Sequence, residues 1–146
     1  MNYLRILLAA VVATIAFFAY GFLVHGILLA ADYIPYPEGV YRSGDAAKSH
    51  MLYGLAGIFV AILVFATIYA NSYKGGRGFI AGSRLGLLFG FFIAGAFVAV
   101  NYGTINISGK LALELAISAL IEWTMVGVLV GIVYKPATGT EQRSAA

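Results

Sequence analysis

The sequence predicts an all-α protein, a bundle of four transmembrane helices. Two observations carry that reading. Of the 146 residues, 62% are hydrophobic and 10% charged, with a mean hydropathy of +0.92, whereas soluble domains run to about 45–50% apolar and about 25% charged. The apolar residues are also gathered into four stretches, and each is long enough to cross a hydrocarbon core that takes about 20 helical residues.

The first helix is expected at about 5–31, where Ile6 to Ala31 contains no Asp, Glu, Lys or Arg. It follows Arg5 and ends in Ala30 and Ala31 as a secretion signal would, but its apolar run is about twice the length of a signal's hydrophobic region, so it reads as a retained helix. The connection 32–49 carries Pro35, Pro37, Gly39 and Gly44, which indicates an ordered or re-entrant loop rather than another span. As the longest loop it is the expected contact surface. The second helix is expected at about 50–73, followed by a flexible basic hairpin, Gly75-Gly76-Arg77-Gly78, suited to anionic lipid. The third is expected at about 79–101, ending in a polar, glycine-punctuated turn from Tyr102 to Gly109. The fourth, about 110–134, carries only Glu114 and Glu122 as acidic groups, and residues 135–146 form a short tail. The whole chain, 1–146, reads as one integral membrane domain.

Charge orients the bundle. Arg5, Lys74, Arg77, Arg84, Lys135 and Arg143 fall on one side, and Arg42, Lys48 and Lys110 on the other. By the positive-inside rule both termini belong in the cytoplasm. Nine of the ten tyrosines flank the spans as an aromatic belt, and Tyr20 and the single tryptophan, Trp123, are the aromatic residues expected near mid-membrane that call for a reason. Trp123 is expected to face lipid or a partner.

The same composition excludes several functions. The net charge of +3 comes with no basic run interleaved with aromatics, so nucleic acid is not a partner. Without cysteine there are no disulfides, no thiol catalysis and no thiolate metal sites. No glycine-rich phosphate loop, no G-x-S-x-G and no helical histidine pair at metal spacing occurs.

Packing is legible in the glycines. Gly82, Gly86 and Gly90 recur every fourth residue on the third helix, and Gly127 and Gly131 repeat the spacing on the fourth, with a similar stripe of Gly54, Gly57 and Ala61 on the second. Small-residue faces let membrane helices approach backbone to backbone. They are read as intramolecular contacts of the bundle, with contacts to other subunits as the alternative.

The ionisable groups within the spans are His25, Glu114 and Glu122, with His50 at the start of the second helix. Such groups are costly in lipid and mark functional sites by default. Measured from Asp32 and Lys110 as boundaries, His25 lies about 10 Å deep, Glu114 about 6 Å and Glu122 about 18 Å, near the midplane. These depths suggest an outer layer, in which His25 meets Glu114 or Ser118 with His50 and Asn101 nearer the surface, and a deeper layer pairing Glu122 with Tyr20. Glu122 has two open readings: a protonated carboxyl that hydrogen-bonds a neighbour and fixes register, or a site for a ligand, a proton or a partner helix. Glu114, in the first helical turn and four residues beyond Lys110, suits a capping or ion-pair role. No cofactor is predicted. His25 and His50 would be the axial pair of a haem, or metal ligands with a carboxylate among Asp32, Asp45 and Glu114.

The run Gly21-Phe22-Leu23-Val24-His25-Gly26-Ile27-Leu28-Leu29 before an aromatic loop, with Ala119-Leu120-Ile121-Glu122 and Gly127 leading to Ile132-Val133-Tyr134-Lys135-Pro136, resembles small bacterial four-span inner-membrane proteins of unknown function. The resemblance covers roughly residues 5–136. It implies the bacterial inner membrane and singles out His25 and Glu122 as recurrent polar positions, without supplying an activity. The Arg and Glu pattern of membrane glutathione transferases and the four histidines of a two-haem membrane cytochrome are not present.

The expected function is a non-enzymatic accessory or interaction subunit of a larger membrane assembly, with other subunits or further copies of the chain as partners in the bilayer. The alternative is a small transporter or a cofactor or quinone binder using His25, Glu122 and Tyr20.

Overall fold

A computed structural model of the chain describes residues 1–36, 40–42 and 44–134. Among them there is no strand, and four helices are long and apolar enough to cross a membrane: Tyr3–Leu28, Asp45–Ser72, Gly78–Thr104 and Gly109–Val133. The first opens as α1 (Tyr3–Leu23), capped by the Asn2 side chain, which accepts the Arg5 N–H at 3.1 Å and so satisfies one of the amides a helix start leaves bare. It continues as a π-helical stretch, Val24–Leu28, and a short α2, Ala30–Tyr33. The second span is α3 (Gly44–Ser72). The third is α4 (Gly78–Ile93), a second π-helical stretch Ala94–Ala99, and α5 (Val100–Thr104). The fourth is α6 (Gly109–Val133), capped by Ser108, whose Oγ accepts the Leu111 N–H at 3.1 Å.

The all-α, four-helix expectation holds. Two boundaries differ. α3 begins at Gly44, so the expected loop 32–49 is shortened from its far end, and its described residues 34–36 and 40–42 form turns and bends with no re-entrant helix. Tyr102 to Thr104 remain helical because Thr104 Oγ1 and the Ile105 N–H close the last turn onto Val100 and Asn101 carbonyls. Pro37, Glu38 and Gly39 of the loop, and the tail 135–146 with Lys135 and Arg143, lie outside the described residues.

α6 is the helix on which α4 and α1 pack. α4 runs antiparallel along it, with the two glycine stripes meeting face to face. A Cβ added to Gly82 would stand 2.0 Å from the Gly127 carbonyl oxygen, and one on Gly127 would stand 2.1 Å from that of Gly82. Gly78 and Gly131 oppose each other in the same way, Gly86 opposes the Trp123 carbonyl, and Gly90 opposes Leu120. Only hydrogen fits between these backbones. Because lipid tails supply no hydrophobic drive for helix association, van der Waals contact and Cα–H···O contacts at such seams hold the pair.

α1 lies between α6 and α3, touching both and burying Ile6, Ala9, Ala10 and Ala13. α3 answers with Ile62, Phe65, Ala66, Tyr69 and Ala70, all from its second half. Here the third small-residue stripe departs from expectation. Every residue from Asp45 to Gly57 is exposed, and a Cβ on Gly54 or Gly57 would meet nothing within 4 Å. Two helices that touch through alanines at one end and diverge beyond Ile58 leave Gly54 and Gly57 without a partner, while Ala61 still packs against the core.

Trp123 also departs from expectation, being 4% exposed. Its ring centroid lies 6.1 Å from Phe17, 5.8 Å from Phe65 and 5.6 Å from Phe89, one ring each from α1, α3 and α4, so it fills the junction of all four spans. The hairpin between α3 and α4 turns on Gly75 and Gly76, at φ of 99° and 93°, values that favour glycine. Tyr69 Oη ties it down by donating to the Gly78 carbonyl at 2.9 Å.

Candidate functional site

At the end of the bundle that carries the α2–α3 connection, the continuation of α1 into its π-helical stretch, the third span and α6 enclose a cavity of about 390 Å³. α6 forms the back wall through Leu115, Ser118, Ala119 and Glu122, a set spaced by one helical turn so that it shares a face. The π-helical stretch after α1 supplies His25, and the one after α4 supplies Phe97 and Val98, next to Ile93 and Asn101. Tyr33, Tyr41, Ile105 and Ile107 close the end. Both π-helical stretches of the described chain thus border one cavity. A π turn takes in an extra residue and re-aims the side chains around it, which is why such turns gather at functional sites.

The deep end is organised around Gly21. A Cβ there would lie 3.7 Å from Glu122 Oε1 and 4.0 Å from His25 Cδ2, so the carboxyl and the imidazole edge both border the space that a bare glycine leaves. Glu122 is only 6% exposed, and its Oε1 has no hydrogen-bond partner among the described residues. An unpaired buried polar atom is expensive, and here it sits at the edge of an empty space.

His25 is fixed from its other side. Its Nδ1 and Tyr33 Oη are 3.0 Å apart. Burial pushes the Tyr33 phenol up to about 12, with Tyr41 and Glu114 adding to the effect, so Tyr33 stays neutral with its proton on the oxygen. A neutral phenol donates more readily than it accepts. We therefore assign Tyr33 as donor to Nδ1, which leaves Nε2 carrying the ring proton, on the imidazole edge nearest Gly21. Tyr33 is held in turn by Tyr41, whose ring packs edge-on at 5.0 Å, and the Tyr41 hydroxyl is likewise raised by burial. Tyr36 meets Tyr41 edge-on and accepts the Ser108 N–H at 2.7 Å, tying the connection to the start of α6.

The structure therefore brings together His25, Ser118, Glu122 and Asn101, and separates the rest. Tyr20 does not pair with Glu122. It faces a neighbouring groove with Val24, Glu114 and Ile117, where Ser118 Oγ approaches its hydroxyl at 3.5 Å. Glu114 does not meet His25; it lies 3.4 Å from Lys110 Nζ, which also pairs with Asp32 of α2. The expected layers were drawn from depth alone, and position around the helix overrides them. His50 is exposed, with Nδ1 2.9 Å from the Ala46 carbonyl and 3.0 Å from Ser49 Oγ. It borders a separate cleft between α1 and α3. His25 and His50 thus line different spaces, and among the described residues no three His, Asp or Glu side chains cluster as metal ligands would.

Tyr33, Tyr41 and Phe97 were missed by sequence reasoning. The two tyrosines read as belt residues, and nothing in the run Ala94–Ala99 marks a π turn. Chemically, the cavity offers a carboxyl, an imidazole N–H and a hydroxyl at its deep end, an amide and phenols at its outer end, and apolar walls between. Comparisons with known protein families, curated proteins and solved structures gave no match.

Proposed function

We propose that this is a multi-pass protein of the bacterial inner membrane, with both termini in the cytoplasm, that binds a small lipid-soluble molecule in the cavity between the first, third and fourth spans. One observation carries the reading: the Glu122 carboxyl oxygen, deeply buried and without a partner, borders an otherwise apolar space. A sizeable apolar pocket with a few convergent polar groups is the form small-molecule sites take. His25, Ser118 and Asn101 complete the polar set. The imbalance of basic residues supports the orientation, and fusing a periplasm-dependent reporter enzyme to the C terminus tests it, with no reporter activity expected.

The binding test is purification from native membranes in mild detergent, followed by solvent extraction and mass spectrometry, for the wild type and Gly21→Leu. The wild type retains a small molecule in near-stoichiometric amount. Gly21→Leu, which places a side chain between Glu122 and His25, loses it. Equal content of every extracted molecule in the two proteins refutes the reading.

A second reading, an accessory subunit of a larger membrane assembly, is favoured by the exposed face of α3 from Asp45 to Gly57. Its partner would be another membrane subunit or a second copy of the chain. Crosslinking in native membranes tests it, and a lone monomer counts against it.

A further inference from the structure

The cavity has three helical walls and lacks a fourth. None of its described lining residues comes from α3, because the first half of α3 stands away from the bundle. The space this leaves against α1 is a cleft of about 1070 Å³, with Phe22, Val40 and Met51 as its apolar lining and Arg42 and Lys48 among its polar residues. Tyr41 lines both the cleft and the cavity. Its ring rests edge-on against Tyr33 and Tyr36, contacts weak enough to be exchanged as the ring swings. The cleft lies at the membrane edge, where Arg42, Lys48 and His50 line it beside Phe22 and Met51, and Tyr33, Ile105 and Ile107 close the outer end of the cavity.

Resting on the binding reading above, we propose that the ligand is a bilayer-dissolved amphiphile with a hydroxyl head and an apolar tail, which reaches Glu122 from the α1–α3 cleft past Tyr41. The head chemistry follows from the two groups that flank Gly21. On the tautomer assigned above His25 Nε2 donates, and Glu122 Oε1, the oxygen without a partner among the described residues, is taken as the carbonyl oxygen and accepts. A hydroxyl satisfies both at once, accepting from the imidazole and donating to the carboxyl oxygen, and so gives that oxygen the partner it lacks among the described residues. A ketone or an ether satisfies only the donor. The tail runs back along Phe22 and Met51 into the cleft.

Trp123 is the only tryptophan in the chain and adjoins Glu122, so its fluorescence reports occupation of the deep end. The experiment uses the full chain in phosphatidylcholine vesicles and three probes: a long-chain alcohol brominated near its hydroxyl, the methyl ether of that alcohol, and a short brominated alcohol that stays in water. The long-chain alcohol quenches Trp123 saturably. Its ether binds about tenfold more weakly, the cost of one hydrogen bond, and the short alcohol binds weakly at equal total concentration. Tyr41→Ala, with Tyr41→Leu as a second variant in case the first fails to fold, speeds association several-fold, as expected when a gate is removed.

Equal affinity for alcohol and ether overturns the head assignment. Tight binding of the short alcohol, or a Tyr41 variant that loses affinity without faster association, overturns the route. Both results leave the binding reading standing. That reading itself falls if no probe quenches saturably and Gly21→Leu behaves as wild type.

Discussion

Replacing Gly82 with alanine puts a methyl group where the α4–α6 seam has no room for one. The new carbon would stand 2.0 Å from the Gly127 carbonyl oxygen and 2.9 Å from its carbon, whereas ordinary contact starts near 3.4 Å. Both obstacles belong to a helical backbone, so neither can rotate aside and the helices must part by about 1 Å or more. A radial gap of about 0.5–1 Å already forfeits a quarter to a half of each van der Waals contact, and the loss spreads to Gly78, Gly86 and Gly90 along the same seam. Overpacking of this kind costs about 1–3 kcal/mol, and with the opened seam the expected destabilisation is about 2 kcal/mol or more. Gly57→Ala is the matched control, since its methyl meets nothing within 4 Å. It is expected to be neutral or to stabilise by up to about 1 kcal/mol through helix propensity. The assay is reversible unfolding in mixed micelles of rising dodecyl sulfate content, followed by Trp123 emission and helical circular dichroism. If the two variants unfold together, the backbone seam does not hold α4 to α6 and the reasoning fails.

Three further outcomes are expected. In the same titration, followed by circular dichroism alone, Trp123→Ala loses about 3–5 kcal/mol, as truncation of a buried aromatic does, and wild-type Trp123 emission resists a phospholipid brominated along its chain; strong quenching would return the indole to the lipid face. Glu122→Leu removes an unpaired buried carboxyl, so the protein without ligand gains stability, by about 1–3 kcal/mol, while ligand retention is lost; a destabilised variant would make Glu122 a register-fixing structural group instead. The Tyr33 phenol is raised from its ordinary value to about 12 by burial, so between pH 10 and pH 12 the unfolded chain releases that proton first and stability falls as pH rises through this window. Ultraviolet titration checks this, with Tyr33→Phe removing one late-ionising phenol.

The span count and the α4–α6 seam were legible because hydropathy and a four-residue glycine period are properties of single helices. Whether a stripe finds its partner is not. Gly54 and Gly57 carry the same signal as Gly82 and Gly86, yet they face open space because α3 leaves α1 beyond Ile58. Depth was countable: residue numbers set Glu122 near the midplane and His25 in an outer layer. Azimuth was not: Tyr20 is level with Glu122 by residue count but turned toward Glu114 and Ile117. The π turns escaped notice since one extra residue per turn leaves no compositional mark, and with them went the convergence of His25 and Phe97 on one cavity. Trp123 was misplaced because its neighbours, Phe17, Phe65 and Phe89, come from three other helices.

That α1 and α4 both pack on α6 also has a meaning in time. α6 is the last of the four to leave the ribosome, so until it is threaded into the bilayer α1 has only α3 beside it, and the glycine face of α4 lies against lipid. The polar wall of the cavity, Ser118 and Glu122, arrives with this final helix. The costly carboxyl is thus exposed to hydrocarbon for the shortest interval the chain order allows, and it enters membrane already occupied by the helices it will face. A nascent chain stalled before Gly109 would hold three apolar helices, an open glycine seam on α4 and no cavity.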